Sequence, residues 1–142
     1  MTLIQNLIGY SVSLFLILIM DSIWLGLIQR KNWKANVEGI QNQPLRVRYI
    51  YAILSYAILA IIPVYIAYKT STIEFNLIGT LLNGVVVSFF VYSIYNTTNL
   101  AIFNNYNQKT ALYDILWGTF MITFVSVIVS YIYNMNKKGL KL

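Results

Sequence analysis

Two aspartates stand inside apolar sequence. Asp21 follows Phe15-Leu16-Ile17-Leu18-Ile19-Met20, and Asp114 precedes Ile115-Leu116-Trp117. A third polar group, Tyr92, Tyr95, Asn96 and Asn99, interrupts another apolar run. Paired carboxylates with amide and phenol oxygens suit a hard cation or an ammonium group. They could also exchange a proton. An ionised Asp at mid-bilayer costs ~2.5–3.5 kcal/mol, less toward an interface, so each acid needs a partner, a proton or water. Asp21 needs one most, because it lies toward the negative end of its helix, whereas Asp114 stands near a helix start, where a carboxylate is favoured. A helix–helix hydrogen bond, or a pair with Arg30, would serve Asp21 as well as a ligand would.

Asp21-x-x-Trp24-Leu25-Gly26 is echoed by Asp114-x-x-Trp117-Gly118. At a spacing of three, Asp and Trp share one helix face. Trp24 and Trp117 therefore join Asp21, Tyr92, Tyr95, Asn96, Asn99 and Asp114 as candidate ligand-binding residues. The chain has no cysteine and no histidine. That excludes disulfides, thiol nucleophiles, the usual zinc sites and a Ser-His-Asp triad. Two carboxylates could act as general acid and base, yet no nucleophile and no phosphotransferase or metal-hydrolase spacing accompanies them. The reading leans against an enzyme and expects no cofactor and no metal.

The elements that carry these residues are membrane spans. Of 142 residues, 58% are hydrophobic and 10% charged, against roughly 45–50% and about 25% in soluble domains. Four apolar runs reach the ~20 residues a helix needs to cross ~30 Å of hydrocarbon: Leu7 to Ile28, Tyr49 to Tyr68, Leu77 to Tyr95 and Leu112 to Tyr133. They lack the period-2 alternation of barrel strands. The fold class predicted is all-α: a single-domain, multi-pass bundle of four transmembrane helices. The first run has no basic leader and no small-residue cleavage site after it, so residues 3–28 read as a retained anchor. Pro63 is expected to kink the second span, a feature membrane helices tolerate. Asn76 and Thr110 are placed as helix N-caps. Tyr and Trp gather at the span ends (Trp24, Trp33, Tyr49, Tyr51, Tyr68, Tyr92, Tyr95, Tyr113, Tyr131, Tyr133), as interfacial anchors do.

Residues 29–48 read as a basic, Asn/Gln-rich loop. With the Asn/Thr-rich residues 96–111 they would share one face, and the termini the other. The loop face carries Arg30, Lys31, Lys34, Arg46, Arg48 and Lys109, six basic residues against four (Lys69, Lys137, Lys138, Lys141). The positive-inside rule then favours termini outside. The net charge of +6 flanks apolar spans, which suits anionic headgroups rather than nucleic acid.

Alternating helix direction brings Asp21, Asn96, Asn99 and Asp114 to one depth. The Asp21 and Asp114 carboxylates are expected within roughly 10 Å of each other, the reach of two side chains across packed helices. Thr80, Gly84, Ser88, Tyr92 and Asn96 recur every fourth residue, and the small ones permit close helix approach. Asn83 in the same run must find a hydrogen-bond partner. The expected function is a polar pocket near one leaflet that binds a small polar ligand, a cation or a lipid headgroup. A small proton-coupled transporter acting as a homo-oligomer, or a structural envelope protein, are the alternatives. Asp21 lies off-centre, whereas transporter sites sit near the midplane.

Three segments carry a family resemblance: Met20-Asp21-Ser22-Ile23-Trp24-Leu25-Gly26; Tyr92-Ser93-Ile94-Tyr95-Asn96-Thr97-Thr98-Asn99-Leu100-Ala101; and Asp114-Ile115-Leu116-Trp117-Gly118-Thr119. Over nearly its whole length the chain resembles bacterial and viral membrane proteins grouped as domain-of-unknown-function family 2177. That family's pattern reads Asp-x-x-Trp-Leu-Gly, then Tyr-x-x-Tyr-Asp-x-Thr-Asn-x-Ala, then Asp-x-x-Trp-Gly. The resemblance implies four spans in a bacterial cytoplasmic membrane or a viral or host membrane, and no assigned activity. One position departs: Asn96 stands where the family pattern has aspartate. A proton- or cation-handling carboxylate there would be lost, whereas a hydrogen-bonding one can be replaced.

Overall fold

The computed structural model describes residues 3–71 and 74–137, and every regular element among them is helical. Four stretches are long and apolar enough to cross a membrane: Leu3–Ile28, Tyr49–Thr70, Leu77–Ile102 and Gln108–Met135. The chain is an integral membrane protein with four spanning helices. The first span joins α1 (Leu3–Ile23) to a π-helical turn, Trp24–Ile28. The second is α3 (Tyr49–Leu59) followed by α4 (Ile61–Thr70), the third is α5 (Leu77–Ile102) and the fourth opens α6 (Gln108–Lys137).

One element departs from the expected loop. Residues Arg30–Gln41 form a helix, α2, which ends at Asn42 in the left-handed conformation (φ 52°). Trp33, Asn36, Val37 and Ile40 turn inward at helical spacing while Arg30, Lys31 and Lys34 face out. The charges and amides masked this narrow inner stripe. Glu38 steadies the turn beyond: its Oε1 accepts from the Leu45 N–H at 2.9 Å and pairs with Lys34 at 3.8 Å. Of the basic tail, Lys138 and Lys141 lie outside the described residues, as do the terminal residues 1–2 and 139, 140 and 142.

Pro63 breaks the second span as expected, and the break falls at Ala60. A proline supplies no N–H to the carbonyl four residues back and crowds it. Hydroxyls of α1 serve the loosened backbone: Ser13 donates to the Ala60 carbonyl at 2.9 Å, and Tyr10 to that of Ala57 at 3.1 Å. Neighbouring helices satisfy kinked backbone in this way. At the other boundaries, Asn76 caps α5 by accepting from the Gly79 N–H at 2.8 Å. Asn107, not Thr110, caps α6, since Asn107 Oδ1 accepts from the Thr110 N–H at 3.1 Å. The third span runs past Tyr95 because its polar residues bond to their own helix: Asn96 to the Tyr92 carbonyl at 2.9 Å and Thr97 to that of Ser93 at 2.7 Å. Asn83 is exposed and likewise donates to the Gly79 carbonyl at 2.8 Å.

Helix α6 is the centre of the bundle. Within its apolar window 44% of residues are buried, against 11–22% in the other spans. Met121, Ile122, Val125, Val129 and Tyr133 of α6 close on Ile17 of α1 and on Ile66 and Ala67 of α4. Tyr133 is therefore packed inside, against Gly9, and is not an interfacial anchor. On the other side the stripe Thr80, Gly84, Ser88 and Asn96 of α5 is buried. A β-carbon on Gly84 would lie 3.0 Å from Thr123 Cα, so the two backbones meet here without side chains between them. Large apolar residues such as Phe15, Ile53, Leu82, Phe90 and Ile94 are exposed. The small and hydroxyl-bearing stripe on α5 lets α6 approach closely, a packing mode that lipid solvent favours.

Candidate functional site

Asp21 sits in the last turn of α1, immediately before the π-helical turn. Such turns widen the helix and recur at functional sites. The wide turn closes with the Gln29 N–H on the Trp24 carbonyl at 2.7 Å. Both Asp21 oxygens are occupied by other helices. Tyr56 of α3 donates to Oδ2 at 2.6 Å, and Trp117 Nε1 of α6 donates to Oδ1 at 3.2 Å. Arg30 does not take this role: the ion pair among the described residues is Lys34–Glu38. The Trp24 ring lies parallel on that of Trp117, with centroids 4.6 Å apart and planes within 5°. The two Asp-x-x-Trp segments thus meet, and the tryptophan of one bonds the aspartate of the other.

Asp114, in the second turn of α6, is held differently. Asn96 Nδ2 donates to its Oδ2 at 2.7 Å. Asn96 is fully buried, and its Oδ1 accepts from the Tyr106 hydroxyl at 2.8 Å. Asn96 therefore reads both ways: its amide donates to the acid and its carbonyl accepts from a phenol. An aspartate at this position would need a proton to make the same bond to Asp114. Burial, and then the neighbouring Tyr95, push the Tyr106 phenol up to about 12, against the opposing pull of a hydrogen bond with Asn99.

Both carboxylates border one cavity of about 430 Å³. Its other polar walls are Tyr56, Tyr92, Tyr95, Ser55 and Trp33, with Leu25, Ala52, Leu59 and Val91 completing it, and no lysine or arginine lines it. Gly118 of α6 makes room for the Tyr92 ring, since a β-carbon there would overlap it. The cavity unites spans one to four with α2.

Of the residues singled out from the sequence, Asp21, Tyr92, Tyr95 and Asp114 line this cavity. Asn96 and Trp117 stand one hydrogen bond behind it, on the two acids. Trp24 supports Trp117 by stacking, and Asn99 bonds to Tyr106. Tyr56, Ser55 and Trp33 were not anticipated. Tyr56 carried a signal: it lies well inside the second run, away from either end, where a buried phenol must find a partner. Trp33 read as an anchor because α2 was not foreseen. Two carboxyl groups and the rings of Trp33, Tyr56, Tyr92 and Tyr95 thus line one chamber. Among the described residues no cluster of three or more metal-ligating side chains forms.

The chain matches, over residues 6–131, the family described as "Predicted membrane protein (DUF2177)". No curated protein and no solved structure matches it.

Proposed function

Since the chain belongs to this predicted membrane protein family, we propose that it is a binding module of the bilayer, holding a small organic cation or an ammonium headgroup between Asp21 and Asp114. The observation that carries the reading is that two acids from the first and last spans border one cavity to which no basic residue contributes. The rest of the wall fits that ligand. Aromatic faces attract ammonium groups, most strongly where water is excluded. Trp33, Tyr56, Tyr92 and Tyr95 supply such faces. A volume of about 430 Å³ is on the scale of small-molecule sites, roughly 300–1,000 Å³, and exceeds what a bare ion fills. A calcium-like ion would demand six to eight oxygens, and two carboxylates with three phenols and a serine are a looser set. The cavity lies on the side of α2 and of the loop between the third and fourth spans, so a headgroup could reach it from one leaflet.

The test is a calorimetric titration of the purified chain in detergent with ethanolamine and choline, set beside neutral alcohols of the same shape. Saturable binding of the cations alone is expected. Asp114→Asn keeps an acceptor for Asn96 and should weaken binding about tenfold, which corresponds to loss of ~1.4 kcal/mol of charge interaction. Equal binding of cation and neutral alcohol, or none of either, would refute the reading.

A further inference from the structure

A second cavity, of about 360 Å³, opens between α2 and the start of α6. Asn32, Asn36, Asn105 and Asn107, with Lys109, Thr110 and Tyr113, give it a polar lining, and no carboxylate is among the lining residues. Its chemistry is opposite in sign to that of the Asp21 cavity.

The informative residue is Asn36. It is 5% exposed. Its Oδ1 accepts from the Asn107 backbone N–H at 2.7 Å. That bond fixes which way the amide points, because a nitrogen in that place could not accept. The remaining Nδ2 is buried and has no partner. Buried donors without acceptors are rare and call for an occupant. Asn105 and Asn107 hold the rim: Asn105 Nδ2 bonds the Gly39 carbonyl of α2 at 3.2 Å, and Asn107 caps α6. The cavity is thus a built junction rather than a gap between loops.

The first turn of the thirty-residue helix α6 forms one wall, through Lys109 and Thr110. A helix start favours negative charge. Lys109 adds a full positive charge. Donors, a cation and a helix start, with no acid present, select an anion with several acceptor oxygens over a sugar or an amine. The outer face of α2 carries Arg30, Lys31 and Lys34, all exposed, which draw the mouth toward anionic headgroups.

We propose that this α2–α6 cavity binds a phosphate group, with Asn36 Nδ2 and Lys109 as its donors. The phosphate is either the diester of an anionic lipid or a soluble phosphate. The site is separate from the ammonium cavity and does not depend on it.

The experiment uses the full chain in a phosphate-free maltoside detergent, titrated with inorganic phosphate and, separately, with short-chain phosphatidylglycerol. Saturable binding of either supports the proposal. Binding of the lipid alone identifies a headgroup site, and binding of inorganic phosphate identifies a soluble ligand. Asn36→Asp retains the acceptor for the Asn107 N–H while replacing the free donor by an acceptor. Lys109→Gln removes the charge at an exposed position. Each should weaken binding about tenfold, the loss expected for one charge-assisted hydrogen bond. Should Asn36→Asp fail to fold, Lys109→Gln alone decides. Absence of saturable binding to both probes, or affinity unchanged in the folded variants, overturns the proposal.

Discussion

Replacing Tyr56 by phenylalanine removes one hydroxyl from the cavity wall and leaves its apolar shape intact. That hydroxyl spans α3 and α1, donating to Asp21 Oδ2 at 2.6 Å, the short end of the O–H···O range. In soluble proteins a hydrogen bond to a charged group is worth ~1.5–3 kcal/mol. Inside membranes, double-mutant cycles average ~0.6 and reach ~1.7 kcal/mol, because the unfolded helices also find partners in lipid. The shortness of the Tyr56 bond argues for the upper part of that range. The retained Trp117 bond at 3.2 Å limits the damage, since it still holds the other oxygen of Asp21. The expected coupling between Tyr56 and Asp21 is therefore about 1–1.5 kcal/mol. The assay is a cycle of Tyr56→Phe, Asp21→Leu and the double variant, each unfolded in mixed micelles by rising dodecyl sulfate. Leucine removes the acceptor at similar volume, whereas asparagine would keep it. A coupling within ~0.3–0.5 kcal/mol of zero, the value for independent sites, would refute the idea that this bond ties the first and second spans.

Gly118→Ala should destabilise the bundle by ~1–3 kcal/mol, the usual penalty for overpacking, because its β-carbon would overlap the Tyr92 ring. A thermal melt unchanged from wild type would show that the ring can move aside. Tyr10→Phe should cost about 0.6–1.7 kcal/mol by leaving the Ala57 carbonyl, at the broken end of α3, unserved, and less in a Pro63→Ala background, where an unbroken helix can serve it. Equal costs in both backgrounds would count against the proline as the cause. Tyr106 makes a pH-dependent contribution. Its phenol is raised from 10.0 to about 12, so the folded state keeps the proton that the unfolded chain loses. The contribution is full below about pH 10 and is lost as pH rises toward about 12. Tyr106→Phe should remove this alkaline part of the stability profile, and identical slopes in the two proteins would contradict it.

The spans were legible because ~20-residue apolar runs have few other uses. Asp21 and Asp114 were legible for the same reason: an acid stands out where charge is expensive. Counting spans put them at one depth, whereas their sharing one cavity depends on how the first and fourth spans pack. The partners were less visible. Tyr56 is one of twelve tyrosines; its place inside the second run marks it as needing a partner, but no local feature says which one. The echo of Asp21–Trp24 in Asp114–Trp117 was visible, but its crossed pairing depends on how the first and fourth spans pack, a long-range contact. Helix α2 was missed because its inner face includes Asn36, a polar residue that breaks the apolar stripe yet is buried for the sake of the Asn107 N–H. Tyr133 was misread since a tyrosine near a span end usually anchors. Gly9 opposite makes room for it inside, and a glycine within a span gives no sign of what fills the space it leaves.

The absence of native cysteine allows a single reporter thiol at Ser55→Cys, on the cavity wall, with Leu82→Cys on the apolar exterior as control. In membranes, both are treated with a methanethiosulfonate bearing a trimethylammonium group and with one bearing a sulfonate. An acid-lined chamber open to water should favour the cationic reagent at the Ser55→Cys thiol, by about tenfold for ~1.4 kcal/mol of electrostatic preference. Asp21→Asn with Asp114→Asn should abolish that preference, and the control thiol should stay unreactive. Equal rates for the two reagents, or a reporter as inert as the control, would mean that Asp21 and Asp114 do not share a cation-attracting cavity.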